Sequence, residues 1–236
     1  GPIMVVIDIS DPEFPKEVCK WWIPGQWEAG GEEYVWGDGP EPRCHHPLRL
    51  ENRLYVSYWH HGCFILNIDD LNKPKKISGL NSSPTFPHPT HTALPIPFEI
   101  RGHKIMIVAD EDVAKLRPHA PSFAWVVDIT DETNPIPISS IQVDGLDPDG
   151  APQEPFTGCH QPSEVVIDEI IPFAWFSKGV RLFNISNPHS PKEVGHFEPD
   201  PQPGCKRLSA NDVTLDDRGL VYVIDRLRGL HILERV

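Results

Sequence analysis

One run of residues occurs four times in this chain. VVIDISDPEFPKEV (5–18) returns as ILNIDDLNKPKKIS (65–78), as VVDITDETNPIPIS (126–139) and as LFNISNPHSPKEVG (182–195), and a partial fifth copy, GLHILERV, closes the sequence. Aligned on Asp8, Asn67, Asp128 and Asn184, each copy carries a proline seven residues later, at Pro15, Pro74, Pro135 and Pro191. Each unit reads as a β-branched strand, a polar turn stiffened by proline and a second short strand. Self-similarity at this period means an array of like supersecondary units, each burying its faces against its neighbours.

Two further apolar segments precede each full copy. One set is 54–59, 104–110, 171–176 and 220–225; the earlier and shorter set is 47–51, 92–99, 162–168 and 212–216. That predicts four antiparallel strands, A to D, per repeat, which is the blade of a β-propeller. The 27 prolines and 17 glycines agree, because they exclude a helical bundle. The fold class is therefore all-β, a propeller with four-stranded antiparallel blades.

The pieces Gly62-Cys-Phe-Ile-Leu-Asn67, Gly179-Val-Arg-Leu-Phe-Asn184 and Gly229-Leu-His-Ile-Leu-Glu234, with the proline turns, resemble the LVIVD-repeat family of β-propellers. The resemblance covers nearly the whole chain as repeats. It implies the fold and leaves the activity open, since that family includes both enzymes and scaffolds.

The strands do not close evenly. Residues 1–236 read as one propeller region in which 1–23 supply only C and D strands, 46–80, 91–143 and 160–198 are full blades, and 211–236 supply A, B and C. A ring closed by strand exchange needs a lone D strand at its start. The expectation is the C-terminal part of a larger ring of about seven blades, with an upstream segment of the same propeller as partner. A five-bladed ring with an irregular seam is the alternative.

Chemistry is expected on the face where D–A and B–C connections emerge. The connections 24–44, 82–91, 144–160 and 198–210 are long, and functional groups gather in variable loops on a rigid scaffold. His45, His46, His88, His91 and His160 lie at the ends of such connections, and His60 and His61 lie in a B–C connection. Innermost A strands line a propeller's channel, so one histidine per blade at this level converges on the axis. The expected ligands are His46, His91 and His160, with His45 competing with His46. Placing Leu50, Val165 and Leu215 in register sets His45 opposite His160, and a one-residue slip would turn a side chain to the other face.

Three imidazoles with an open position suit a divalent transition metal, Fe, Cu, Mn or Zn. Cys44 and Cys159, each just before a histidine, are either thiolate ligands or small buried hydrophobes. Glu111 is the expected acid/base group, with Asp225 and Arg226 at the same level of the last repeat as further catalytic residues. Trp21, Trp22, Trp27 and Trp36 surround a glycine-rich stretch, as an apolar lid or as packing between blades.

Composition narrows the partners. The net charge of -13 disfavours nucleic acid or an anionic membrane as partner, and no apolar run is long enough for a spanning helix. There is no GxGxxG, Walker loop, GxSxG or HExxH. The function expected is a metal-dependent enzyme acting on a small organic substrate at the axial mouth; the alternative is a non-catalytic binding or scaffold module. Localisation stays open.

Overall fold

The computed structural model describes residues 1–113, 120–143, 156–200, 204 and 208–235. Among these, five antiparallel sheets form the blades of a β-propeller. The first holds β1 (Met4–Asp8) and β2 (Lys16–Trp21). The second holds β3 (His46–Leu50), β4 (Arg53–Ser57), β5 (Cys63–Asn67) and β6 (Lys75–Leu80). The third holds β7 (Thr90–Pro95), β8 (Ile105–Asp110), β9 (Ala124–Asp128) and β10 (Ile136–Ile141). The fourth holds β11 (Gln161–Pro162), β12 (Ile170–Ala174), β13 (Val180–Asn184) and β14 (Lys192–Phe197). The fifth holds β15 (Ala210–Leu215), β16 (Val221–Asp225) and β17 (Gly229–Leu233). Among the described residues no helix is long and apolar enough to cross a membrane.

The repeated anchor residue explains the repeated turn. Asp8, Asn67, Asp128 and Asn184 each accept, through Oδ1, the backbone N–H two residues on, at 2.8 to 2.9 Å. This Asx turn ends the C strand and leads the chain into the proline-bearing reversal. Where D strands meet the next blade, Ser78 donates to the Glu132 carbonyl at 2.6 Å and Ser139 donates to the Pro188 carbonyl at 2.5 Å. These serines stand eleven residues after their anchors, so a side chain of the repeat also sets blade-to-blade spacing.

Apolar clusters join each blade to the next. Met4 and Ile23 pack with Leu54, Val56 and Leu66; Tyr55 and Ile65 pack with Met106 and Val108; Ile107 and Val126 pack with Phe173 and Phe183; Ala174 and Val180 pack with Val213 and Val223. None of these clusters joins the fifth sheet to the first. The outward faces of both terminal blades are apolar and exposed, with Val5 and Ile7 on one and Ile224, Leu230 and Ile232 on the other.

One expected strand is cut short. The A strand placed at 162–168 pairs only through Gln161 and Pro162, although the Ser163 N–H still reaches the Pro172 carbonyl at 2.8 Å. Pro172 has no N–H to return a bond to Ser163, so the ladder stops there. Val165 and Ile167 are left exposed.

Candidate metal centre

Strand pairing defines which residues are equivalent at the mouth of the channel. The A-strand partners of Ser57, Ala109, Ala174 and Ile224 are His46, Thr92, Gln161 and Asp212. The residues immediately before those partners are His45, His91, His160 and Asn211, one per blade. Two blades reach this common level through a bulge, between Thr90 and Thr92 and between Ala210 and Asp212. The extra residue of a bulge is unpaired and re-aims its side chain, and here those residues are His91 and Asn211. A second tier follows from the other end of the B strands, two residues beyond the same reference positions: Trp59, Glu111, Phe176 and Arg226.

The first tier converges. Ligand atoms of His45, His91 and Glu111 all lie within 4.8 Å of one another. The His91 ring centroid is 4.3 Å from that of His45 and 4.3 Å from that of His160, and His160 Nε2 is 3.7 Å from Glu111 Oε1.

His46 faces elsewhere. Its Nδ1 is 3.2 Å from Thr92 Oγ1 and its Nε2 is 2.6 Å from Glu164 Oε1, so both ring nitrogens are engaged. The structure thus brings the competing residue, His45, into the cluster in place of His46. The reason is alternation: His46 opens strand β3, and its predecessor must point the other way.

Hydrogen bonds orient the imidazoles. His160 Nδ1 meets the Asn211 carbonyl, which can only accept; the proton therefore sits on Nδ1 and the lone pair on Nε2, toward Glu111. His91 Nδ1 lies 2.7 Å from Thr92 Oγ1, which leaves its Nε2 for a ligand. This is the arrangement in which a metal-binding histidine is held by its second nitrogen.

The electrostatics suit a cation. Burial, with neighbouring imidazoles, pulls His91 far below the ordinary histidine range, and burial pulls His45 and His160 down to about 4. All three rings then keep their lone pairs at neutral pH. Burial raises Glu111 to about 7, against the opposing charges of Arg226 and Arg43. Two imidazoles or more and a carboxyl short of positive charge form a donor set that fits a divalent transition metal.

The remaining expected residues divide. Asp225 is 2% exposed, and its carboxylate accepts from the N–H groups of Ser209 and Leu227, both at 2.7 Å. It stands where Asp110 stands in the third blade, bonded there to Thr90 Oγ1 at 2.9 Å and Trp125 Nε1 at 3.1 Å. Both carboxylates fasten loops rather than face the mouth. Arg226 does reach it, its Nε donating to Asn211 Oδ1 at 2.6 Å.

Cys44 is pushed up to about 12 by burial, and Cys159, fully buried, is raised well above the ordinary thiol range. Neutral thiols in these places act as small apolar side chains. The tryptophan-rich loop folds on itself. Glu32 accepts from Trp22 Nε1 at 2.9 Å and from the N–H groups of Gly25 and Trp27, while Trp21 packs on Tyr58 and Phe64. Part of the 144–160 connection, including Asp147, lies outside the described residues.

A pH titration checks this electrostatic picture. In metal-free protein, the Cε1–H NMR signals of His45 and His160 are expected to titrate near 4. Between the ordinary histidine value of 6.5 and about 4 the unfolded chain binds these protons and the folded chain does not. Each ring's contribution to stability is therefore complete above 6.5 and is lost as pH falls toward 4. Glu111 acts with opposite sign between 4.5 and about 7, where the folded state holds the extra proton. Midpoints near 6.5 for both rings would show a solvated, unclustered mouth.

No protein-family model matches the chain, and no curated protein matches it. Among solved structures, the periplasmic gluconolactonase of Pseudomonas aeruginosa is similar at a TM-score of 0.51 and 13% identity, over 78% of this chain and 54% of that one. A hypothetical selenium-binding protein from Sulfolobus tokodaii is similar at 0.48 and 15%, over 94% of this chain and 64% of that one. The chain thus spans about half the length of the first and under two thirds of the second. At these identities the likeness to the gluconolactonase is one of fold: both chains are β-propellers.

Proposed function

We propose that the chain is a metal-dependent enzyme of the LVIVD-repeat type, acting on a small organic substrate at the axial mouth of the propeller. His45, His91 and His160 are the imidazole ligands, and Glu111 is either a further ligand or the group that moves a proton. The observation that carries this reading is the convergence of ligand atoms from His45, His91 and Glu111 within 4.8 Å, each from a different loop. Ordinary solvated histidines have no reason to meet in this way.

Bound there, a divalent Fe, Cu, Mn or Zn supplies a Lewis acid, and Fe or Cu a redox centre as well. Asn211 and Thr92 hold the rings of His160 and His91 in place. Glu111, largely withdrawn from solvent and near neutrality in its protonation, suits proton transfer to or from a substrate beside it. Arg226, beside it, opposes that rise by stabilising the carboxylate.

Elemental analysis after mild purification tests the reading, with about one divalent transition metal per chain expected. Less than about 0.2 would leave the binding-module or scaffold alternative. Glu111→Gln is expected to keep the metal and to lower turnover by roughly 10²-fold or more if the carboxylate transfers a proton in the slow step. Loss of metal from this variant would make Glu111 a ligand; unchanged metal and turnover would place it on the solvated rim.

We also infer that further blades complete the ring. The support is the pair of outward apolar faces, Val5 and Ile7 on the first sheet and Ile224, Leu230 and Ile232 on the fifth, which a propeller ordinarily packs against neighbouring blades.

A further inference from the structure

Two arginines flank the centre in matching ways. Trp59 and Phe176 occupy the same second-tier position in two blades, and both have left-handed backbone, with φ of 55 and 37°. Each bridges to the start of the next blade's A strand, at Thr90 and Ala210. Each also stacks on an imidazole of the cluster, Trp59 on His45 at 4.7 Å and Phe176 on His160 at 4.6 Å. Over the rings lie two guanidinium groups, Arg43 Cζ 5.5 Å from the Trp59 centroid and Arg226 Cζ 5.4 Å from that of Phe176.

Both arginines are exposed, and among the described residues neither enters an ion pair with a carboxylate. Arg53, Arg181, Arg218 and Arg235 all do. That contrast is informative in a chain with 34 acidic and 21 basic residues, where acidic partners are plentiful. Stacking occupies the face of a guanidinium and leaves its edge donors for a planar anion.

We propose that the substrate of this centre is a small organic carboxylate, its charged group held by the edge donors of Arg43 and Arg226 beside the histidine cluster. This rests on the metal-enzyme reading for the word substrate, but the anion site is built from residues outside the ligand set. The two plates, Trp59 above all because it is only partly buried, offer apolar contact to the remainder of the molecule.

Isothermal titration of the full chain with benzoate and with neutral benzamide, in metal-loaded and metal-free forms, tests the proposal. Benzoate is expected to bind at least about 10-fold more tightly than benzamide. Arg43→Gln and Arg226→Gln are each expected to weaken benzoate by about 10-fold while leaving benzamide affinity and metal content as they were. Equal affinities for the two probes, or benzoate binding indifferent to both substitutions, would overturn the proposal with the metal centre intact. Wild-type protein that takes up no metal yet prefers benzoate through the two arginines would instead overturn the enzyme reading and keep the anion site.

Discussion

His91→Ala is expected to empty the metal centre and abolish activity while leaving the propeller folded. His91 is the middle ring of the cluster, 4.3 Å by centroid from both His45 and His160, and its ligand atom groups with those of His45 and Glu111. Removing it takes away one of three imidazoles, and with it the geometry that selects a transition metal as well as affinity. The fold should tolerate the change. The residue lies at a bulge, where its backbone is outside the β7–β8 ladder, and the truncation relieves a ring whose protonation burial strongly opposes. Elemental analysis beside circular dichroism decides: retained metal in a folded variant would remove His91 from the ligand set. His46→Ala is the control. Its imidazole serves Thr92 and Glu164, so metal content should fall far less.

How much of this was legible beforehand depends on what a residue count can see. The blades, their order and the proline turns follow from four copies of one motif, since the same Asx turn must form wherever the same anchor recurs. The choice between His45 and His46 was not legible. Matching Leu50, Val165 and Leu215 pairs His45 with His160 correctly but sets Asn211 with His46, because the bulge between Ala210 and Asp212 adds a residue that no propensity announces. The A strand at 162–168 failed for a related reason: its apolar alternation is sound, and a proline on the partner strand ends the ladder.

The second tier was missed although a signal existed. Trp59, Phe176 and Arg226 each stand three residues before a glycine of the repeat, Gly62, Gly179 and Gly229. Reading that offset would have lifted Trp59 out of the core and placed it at the mouth beside His45.

Those three glycines carry the other large expected effect. Gly62, Gly179 and Gly229 share one place in the blade, just before the C strand, and one backbone conformation, with φ of 77, 70 and 78°. Alanine at any of them meets the left-handed penalty of about 1–2 kcal/mol. At Gly62 the added methyl would also overlap the Leu80 carbonyl oxygen, and at Gly179 that of Phe197, each at the end of the blade's own D strand. Backbone carbonyls paired in a sheet cannot move aside cheaply, so Gly62→Ala and Gly179→Ala are expected to cost about 3 kcal/mol or more, as overpacking adds to the dihedral term. Nothing lies within 4 Å of the same position at Gly229, because the fifth sheet has three strands and no carbonyl stands there. Gly229→Ala should therefore cost only the dihedral penalty. Urea denaturation of the three variants checks the ordering, and a small cost at Gly62 would mean that the D strand yields. In a ring whose last blade gains a fourth strand, the Gly229 methyl would strike a carbonyl as the others do. A Gly229→Ala cost equal to that at Gly62 would then show that β17 is covered in solution, while a lower one would show the edge open.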